Sequence, residues 1–161
     1  AIGAYEQTVL SMTGAYAAVA NRGVFHKPTP FEEIRGPSNT LLWSYKAKHP
    51  KGIQAIKPEI ADTMNWMLQR VVNHGTGKIA RIKGRTVAGK TGTSEGGRDL
   101  WFIGSIPQLT TGIWFGYDNN KETRSGSGEA AWAWKQFMLR IEHEFKAIDF
   151  PKKALPELSD K

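Results

Sequence analysis

The sequence predicts an α+β fold in which an antiparallel, three-stranded meander over residues 86–117 is covered by helices. Two observations carry this prediction. Runs rich in β-branched and aromatic residues follow one another at 86–93, 100–106 and 110–117, and the segments between them are short enough for tight connections. Apolar residues recur at helical spacing before and after these runs, as expected for helices that each bury one side against a sheet.

Composition limits the function classes that the chain can serve. Its 161 residues are 40% hydrophobic and 23% charged, which is typical of one soluble globular domain. There is no Cys, so disulfides, thiolate metal sites and a Cys nucleophile are excluded. No apolar run reaches the roughly 18 residues of a membrane span. The net charge of +7 comes mostly from scattered basic residues, which favours a solvated basic surface, and we expect no nucleic-acid partner.

The first predicted helix follows Thr8, a suitable N-cap, and ends at the Asn-Arg-Gly sequence of residues 21–23. A small hairpin comes next, with strands at Glu33–Arg35 and 41–45 joined by the turn sequence Gly-Pro-Ser-Asn at 36–39. On the first predicted helix, apolar residues at helical spacing predict one buried stripe, which consists of Val9, Met12, Tyr16 and Val19.

A second helix is predicted to begin at Pro58 and to end at Gly75. Its buried stripe is predicted to consist of Ile60, Met64, Met67, Leu68 and Val71. A last helix at 130–145 is expected to cover the sheet with Trp134, Phe137, Met138, Ile141 and Phe145, while Trp132 lies off that stripe. Trp101, Trp114 and Trp134 are expected to be core residues. Residues 1–145 are thus assigned to the domain and 146–161 to a C-terminal extension with little core of its own.

Residues 84–91 match the P-loop pattern G-x-x-x-x-G-K-[ST], in which backbone N–H groups and the lysine hold phosphates. A P-loop needs a strand before its first glycine and a helix that starts at the Lys-Thr end. Here residues 86–88 are strand-like, and three glycines within 92–97 disfavour a helix that starts at Lys90. Nucleotide binding is therefore kept only as a remote alternative.

A second interpretation places Lys90, Thr91, Gly92 and Thr93 on an edge strand beside a serine nucleophile. Side chains alternate along a strand, so Lys90 and Gly92 would face one side and the two threonines the other. Gly92 would let a substrate backbone approach the strand closely. Lys90 would supply a positive charge, threonine hydroxyls can bind a carboxylate, and a strand N–H can stabilise an oxyanion.

This segment resembles the K-T-G-T signature of the penicillin-binding proteins and serine β-lactamases. The similarity to class A penicillin-binding proteins extends from about residue 1 to about residue 138. Residues 15–24 resemble the helix and stop after the family's second motif, and 67–72 with Gly-Thr-Gly at 75–77 resemble the helix and loop before the third. Three further segments resemble the family's three strands in order: VAGKTGTS at 87–94, RDLWFIG at 98–104 and GIWFGYD at 112–118.

The resemblance implies a β-lactamase/transpeptidase-like fold and the activity of a serine D,D-transpeptidase. Such an enzyme cross-links peptidoglycan stem peptides by acyl transfer from D-Ala-D-Ala, binds β-lactams, and works at the outer face of the cytoplasmic membrane or in the periplasm. By the resemblance, Lys90 and Thr93 are catalytic, and the Thr93 N–H is an oxyanion donor. Thr91, Gly92, Thr93 and Ser94 bind substrate. No cofactor and no metal are implied, and the four dispersed histidines show no ligand spacing.

None of the eight serines begins an S-x-x-K or S-x-N sequence, so only one of the family's three catalytic motifs is present. The resemblance implies that the other two precede Ala1. We expect the upstream half of the same domain to be the chain's partner, and any membrane attachment to come from an upstream anchor. We also expect the isolated chain to be inactive and to self-associate. A non-catalytic module that binds cell-wall polymer through its basic surface remains the alternative.

Overall fold

The structure is a computed structural model, and it describes residues 5–49 and 51–152. The described helices are α1 (Val9–Ala20), α2 (Tyr45–Lys48), α3 (Pro58–His74) and α4 (Gly128–Ile141). The strands are β1 (Val24–Phe25), β2 (Glu33–Arg35), β3 (Leu41–Ser44), β4 (Ile53–Gln54), β5 (Ala88–Thr93), β6 (Asp99–Ile106) and β7 (Leu109–Gly116). Short 3-10 turns occupy Lys78–Ala80, Glu95–Gly97 and Glu142–Glu144. None of the described helices is long and apolar enough to cross a membrane.

The central sheet is the predicted antiparallel meander, with its three strands in the order β5-β6-β7. The connection between β6 and β7 is a tight turn, because Ile106 pairs directly with Leu109. The first strand begins at Ala88 instead of residue 86. Because a strand, and not a helix, runs through Lys90, the remote P-loop alternative for residues 84–91 is wrong.

Two further pairs of strands lie outside the central sheet. The predicted hairpin is confirmed as β2 and β3, whose register shifts between Ile34 and Arg35. Val24 of β1 pairs with Gln54 of β4, which closes the long connection between α1 and α3. This second pair was not predicted from the sequence, because each of its strands has only two residues.

One face of the sheet is covered by α4. Phe102 of β6 meets Trp134 of α4 edge-on, with ring centroids 5.4 Å apart. Trp132 is 54% exposed and lies off the packed face as predicted, whereas Phe137 of the expected stripe is 43% exposed. The main core on this side consists of Val72, Ala80, Ile82, Val87, Phe102, Ile106, Ala130, Ala131, Trp134 and Met138.

The other face of the sheet receives α1. Gly112 of β7 lies so close to this helix that a Cβ built on it would be 2.2 Å from Thr13 Oγ1. The N-cap at Thr8 is confirmed, because its hydroxyl accepts a hydrogen bond from Ser11 N at 3.1 Å. The predicted stripe of Val9, Met12, Tyr16 and Val19 is half-buried, and Ala18 is the fully buried residue of the helix.

The predicted buried stripe of α3 is largely wrong, although the bounds of the helix are right. Ile60, Met64 and Met67 are 56%, 41% and 43% exposed. The buried face instead carries Ala61, Asp62, Asn65, Leu68 and Val72. Polar contacts with α1 and its C-terminal turn determine which face of α3 is buried. Asp62 accepts a hydrogen bond from Arg22 at 2.9 Å, and the Asn65 side chain donates one to the Val19 carbonyl at 2.9 Å.

The chain continues to pack on the domain after α4. Arg85 donates a hydrogen bond to the Glu142 carboxylate at 2.7 Å. Farther along, Phe150 is only 4% exposed and packs against Leu68 of α3 and Ala88 of β5. The proposed extension therefore contributes a residue to the core, while its residues 153–161 lie outside the described part of the chain. The boundary at residue 145 stays a prediction.

Candidate active site

The K-T-G-T residues lie on β5, which is an edge strand of the central sheet as the structure describes it. Ser94 N donates a hydrogen bond to the Asp99 carbonyl at 3.1 Å, so these two residues form a hydrogen-bonded pair of the antiparallel ladder. Hydrogen-bonded and non-hydrogen-bonded pairs alternate along such a ladder. Thr91 and Thr93 therefore turn their backbone N–H and C=O groups away from β6, and Lys90 Nζ donates to the Thr91 carbonyl at 2.7 Å.

An open groove of about 540 Å³ runs beside β5. Its walls include residues 90–94 of the motif segment, Trp101 and Ile103 of β6, and Met12 and Tyr16 of α1. All of the site residues predicted from the sequence thus border a single groove. Glu6 and Gln7 also line it, so the lining is partly polar and charged and partly apolar and aromatic.

Lys90 and Gly92 share the groove face of β5, as strand alternation predicts. Lys90 is exposed and pairs with Ile103, while Gly92 pairs with Trp101. A Cβ built on Gly92 would lie 3.2 Å from Trp101 Cβ, so any side chain there would crowd this indole. Trp101 is half-buried and forms part of the groove wall, which corrects its assignment as a core residue. Its position opposite Gly92 in the predicted meander was the signal that could have revealed this.

The two motif threonines have different surroundings. Thr93 is exposed, whereas Thr91 is only 7% exposed. The Thr91 hydroxyl lies 2.7 Å from that of Thr76, in the Gly-Thr-Gly loop that follows α3. The resemblance to the family includes this loop, but its contact with β5 was not predicted from the sequence. Strand alternation could have suggested it, because Thr91 must face away from Lys90 and toward the covering helices.

Ser94 and Asp99 close the end of the site. Ser94 Oγ donates to Asp99 Oδ2 at 2.8 Å and accepts from Asp99 N at 2.8 Å. Asp99 Oδ1 also accepts a hydrogen bond from the indole of Trp114 at 2.9 Å. Asp99 therefore makes a turn contact with Ser94, and neighbouring Arg98 pairs with Glu122 at 3.8 Å.

The lining of the groove combines one cation, Lys90, with the two carboxylates of Glu6 and Asp99 and with apolar and aromatic side chains. Lys90 supplies the positive charge, and burial raises the pKa of the Tyr16 hydroxyl on α1. Within residues 5–49 and 51–152, no three His, Asp or Glu side chains are grouped so that they could hold a metal ion. The arrangement can therefore attract a carboxylate and offer outward backbone N–H groups to a substrate carbonyl.

Comparison with known proteins decides the family. The family model described as the penicillin binding protein transpeptidase domain matches residues 1–138. The chain belongs to this family. The prediction from the K-T-G-T segment is therefore confirmed, together with the β-lactamase/transpeptidase-like fold class.

Individual penicillin-binding proteins support the assignment. Penicillin-binding protein 1A of Aquifex aeolicus is 35% identical over 154 residues, which cover 93% of this chain and 21% of that protein. The structure of PonA1 from Mycobacterium tuberculosis superposes with a TM-score of 0.85 at 26% identity and covers 95% of this chain and 42% of that one. Its complex with penicillin V gives a TM-score of 0.83 at 26% identity over 95% and 43%. The chain thus spans about a fifth of the Aquifex relative.

Proposed function

We propose that the protein containing this chain is a serine D,D-transpeptidase that cross-links peptidoglycan stem peptides outside the cytoplasmic membrane and is acylated by β-lactams. One observation carries the proposal: the K-T-G-T residues lie on an edge strand whose outward backbone groups border an open groove of about 540 Å³. Family membership and the penicillin V complex of PonA1, a relative of similar fold, support it.

Lys90 is proposed to supply the positive charge of the site. It is exposed, and its Nζ is held 2.7 Å from the Thr91 carbonyl, at the outward edge of β5. A cation there attracts the terminal carboxylate of the stem peptide and favours proton movement through the serine of the family's second motif. The groove beside it leaves room for a substrate strand to lie along β5.

Thr93 is proposed to stabilise the oxyanion through its outward N–H group. Removal of one such donor typically costs about 3 to 4 kcal/mol of transition-state stabilisation. The hydroxyls of Thr93 and Thr91 bind the substrate carboxylate, and Gly92 permits close approach of the substrate backbone. Ser94 is proposed to bind substrate as well, and its hydrogen bonds with Asp99 hold it at the end of the strand.

The nucleophile is proposed to come from the upstream half of the same domain, since these 161 residues contain no S-x-x-K sequence. Its serine oxygen attacks the carbonyl carbon of the penultimate D-Ala while its proton passes to a base. The terminal D-Ala leaves with a proton, and an amine of a neighbouring stem then displaces the serine from the ester. Both steps pass through an oxyanion that needs the Thr93 N–H.

Replacement of Lys90 by Ala in the full-length protein tests the proposal. We expect the second-order rate of acylation by fluorescent penicillin to fall by roughly a hundredfold or more, with an unchanged melting temperature, because Lys90 is exposed. Lys83→Ala is the matched control, since Lys83 is also exposed and lines a different cavity. A Lys90→Ala protein that acylates at the parental rate would contradict the role. Failure of the parental protein to acylate would favour the cell-wall-binding alternative.

A further inference from the structure

The contact between Thr76 and Thr91 reaches from the loop after α3 to the middle of the motif strand. Their hydroxyl oxygens are 2.7 Å apart, a normal length for an O–H···O hydrogen bond. Thr91 is only 7% exposed, so water has little access to this side chain. Thr91 also lies among the residues that line the groove beside β5. Thr91 thus borders the groove and contacts Thr76 through its hydroxyl.

The backbone around Thr76 is anchored to the end of α3. The loop on either side of it folds back on the end of α3, because the N–H groups of Gly75 and Gly77 both donate to the Val71 carbonyl, at 2.9 and 3.2 Å. Gly77 is buried beneath this turn. These bonds fix the backbone on either side of Thr76, whose own side chain is exposed and contacts Thr91.

When an anion is bound to Thr91, the number of available protons decides which of the two hydroxyls donates and which accepts. Each threonine hydroxyl has one proton to donate, whereas an ionised carboxylate can only accept. If Thr91 gave its proton to Thr76, its oxygen would turn lone pairs toward the anion and repel it. A bound carboxylate therefore requires the proton of Thr91, and Thr76 must then donate to Thr91.

We propose that Thr76 is a positioning residue for carboxylate recognition: it donates a hydrogen bond to Thr91 Oγ1 and so orients the Thr91 proton toward the terminal carboxylate of the substrate. This inference rests on the proposed function, in which Thr91 binds that carboxylate. Thr76 acts through Thr91 and need not touch the substrate. The chain of two hydroxyls is polarised by the charge at its end, which strengthens both hydrogen bonds.

The test compares acylation of the full-length protein by a penicillin and by the methyl ester of the same penicillin. Thr76→Val keeps the shape of the side chain and removes its donor, whereas Thr76→Ser keeps the donor. With the free acid, we expect the second-order acylation rate to fall about tenfold in Thr76→Val and to stay within about threefold in Thr76→Ser. With the ester, which carries no carboxylate, both variants should react at nearly the parental rate.

Each further outcome separates the inference from the proposed function. If Thr76→Val slows the acid and the ester equally, the residue has only a structural role and the inference is overturned. If Thr91→Val slows the acid selectively but Thr76→Val does not, the inference is overturned and the proposed function stands. If neither Thr91→Val nor Lys90→Ala affects acylation, the proposed function itself fails. Thr76→Ala replaces Thr76→Val in the same comparison if the valine variant does not fold.

Discussion

The indole N–H of Trp114 donates a hydrogen bond to Asp99 Oδ1 at 2.9 Å, and this contact ties β7 to the first residue of β6. The second oxygen of the same carboxylate accepts a hydrogen bond from Ser94, which directly follows β5. One half-buried carboxylate on β6 thus contacts both β7 and the residue that follows β5. The end of the motif strand that carries Thr93 is held by this arrangement.

Replacement of Asp99 by Asn should destabilise the domain. An amide offers one oxygen where the carboxylate offers two, so either Trp114 or Ser94 loses its acceptor. We expect the free energy of unfolding, measured by urea denaturation of the 161-residue chain, to fall by roughly 1 to 3 kcal/mol. Asp118→Asn is the control, because Asp118 is exposed. Equal stability of the two variants would show that the Asp99 carboxylate does not hold the strands together.

Truncation of Phe150 should reveal how strongly the C-terminal segment is packed. Its ring is 4% exposed and contacts Leu68 and Ala88, the first residue of β5. Phe150→Ala is expected to lower the free energy of unfolding by roughly 3 kcal/mol or more, as for other buried phenylalanines. Phe31→Ala, at a ring that is 59% exposed, should change it far less. Similar losses in both variants would mean that Phe150 does not belong to the core.

Tyr16 should make the stability of the domain sensitive to alkali. Burial raises the pKa of its hydroxyl above the ordinary value of 10.0, because the folded protein disfavours the charged phenolate. The unfolded state therefore loses its proton first, and stability is expected to fall as pH rises above about 10. Tyr16→Phe should flatten this part of the profile of unfolding free energy against pH. An unchanged slope would show that Tyr16 does not titrate differently in the two states.

The isolated chain should not be labelled covalently by penicillin. It carries Lys90 and the Thr93 N–H but no S-x-x-K serine, so carboxylate binding can survive while acylation cannot. Fluorescent penicillin should leave no band after denaturing electrophoresis of the 161-residue chain. Full-length protein in a parallel lane is the positive control. A stable adduct mapped by mass spectrometry to any serine of this chain would show that the catalytic roles are wrongly assigned.

The isolated chain should also self-associate. Ile60, Met64 and Met67 form an exposed apolar face on α3, and β5 has outward backbone groups without strand partners among the described residues. Sedimentation velocity should therefore show oligomers whose proportion rises with concentration. Met64→Glu should reduce that proportion, whereas Glu59→Gln, at an exposed position on the same helix, should not. A strictly monomeric parental chain would contradict the prediction.

The local sequence was sufficient where a structure depends on neighbouring residues. Turn residues and β-branched runs predicted the meander, Pro58 and Gly75 bounded α3, and Thr8 capped α1. The K-T-G-T segment could be placed on a strand because its glycines disfavour a helix and its flanks favour a strand. The ordered similarity of several such segments then identified the family.

The sequence by itself thus determined the class of fold, the order of the main helices and of the central strands, and the strand that carries the site. Only the tertiary structure decided which face of α3 is buried, because Asp62 and Asn65 are satisfied by distant partners on α1 and its C-terminal turn. The tertiary structure alone also decided that Phe150 lies in the core and that Thr76 contacts Thr91. Hydrophobic periodicity reports how apolar a face is, but burial follows from packing and hydrogen bonds between segments that are far apart in the chain.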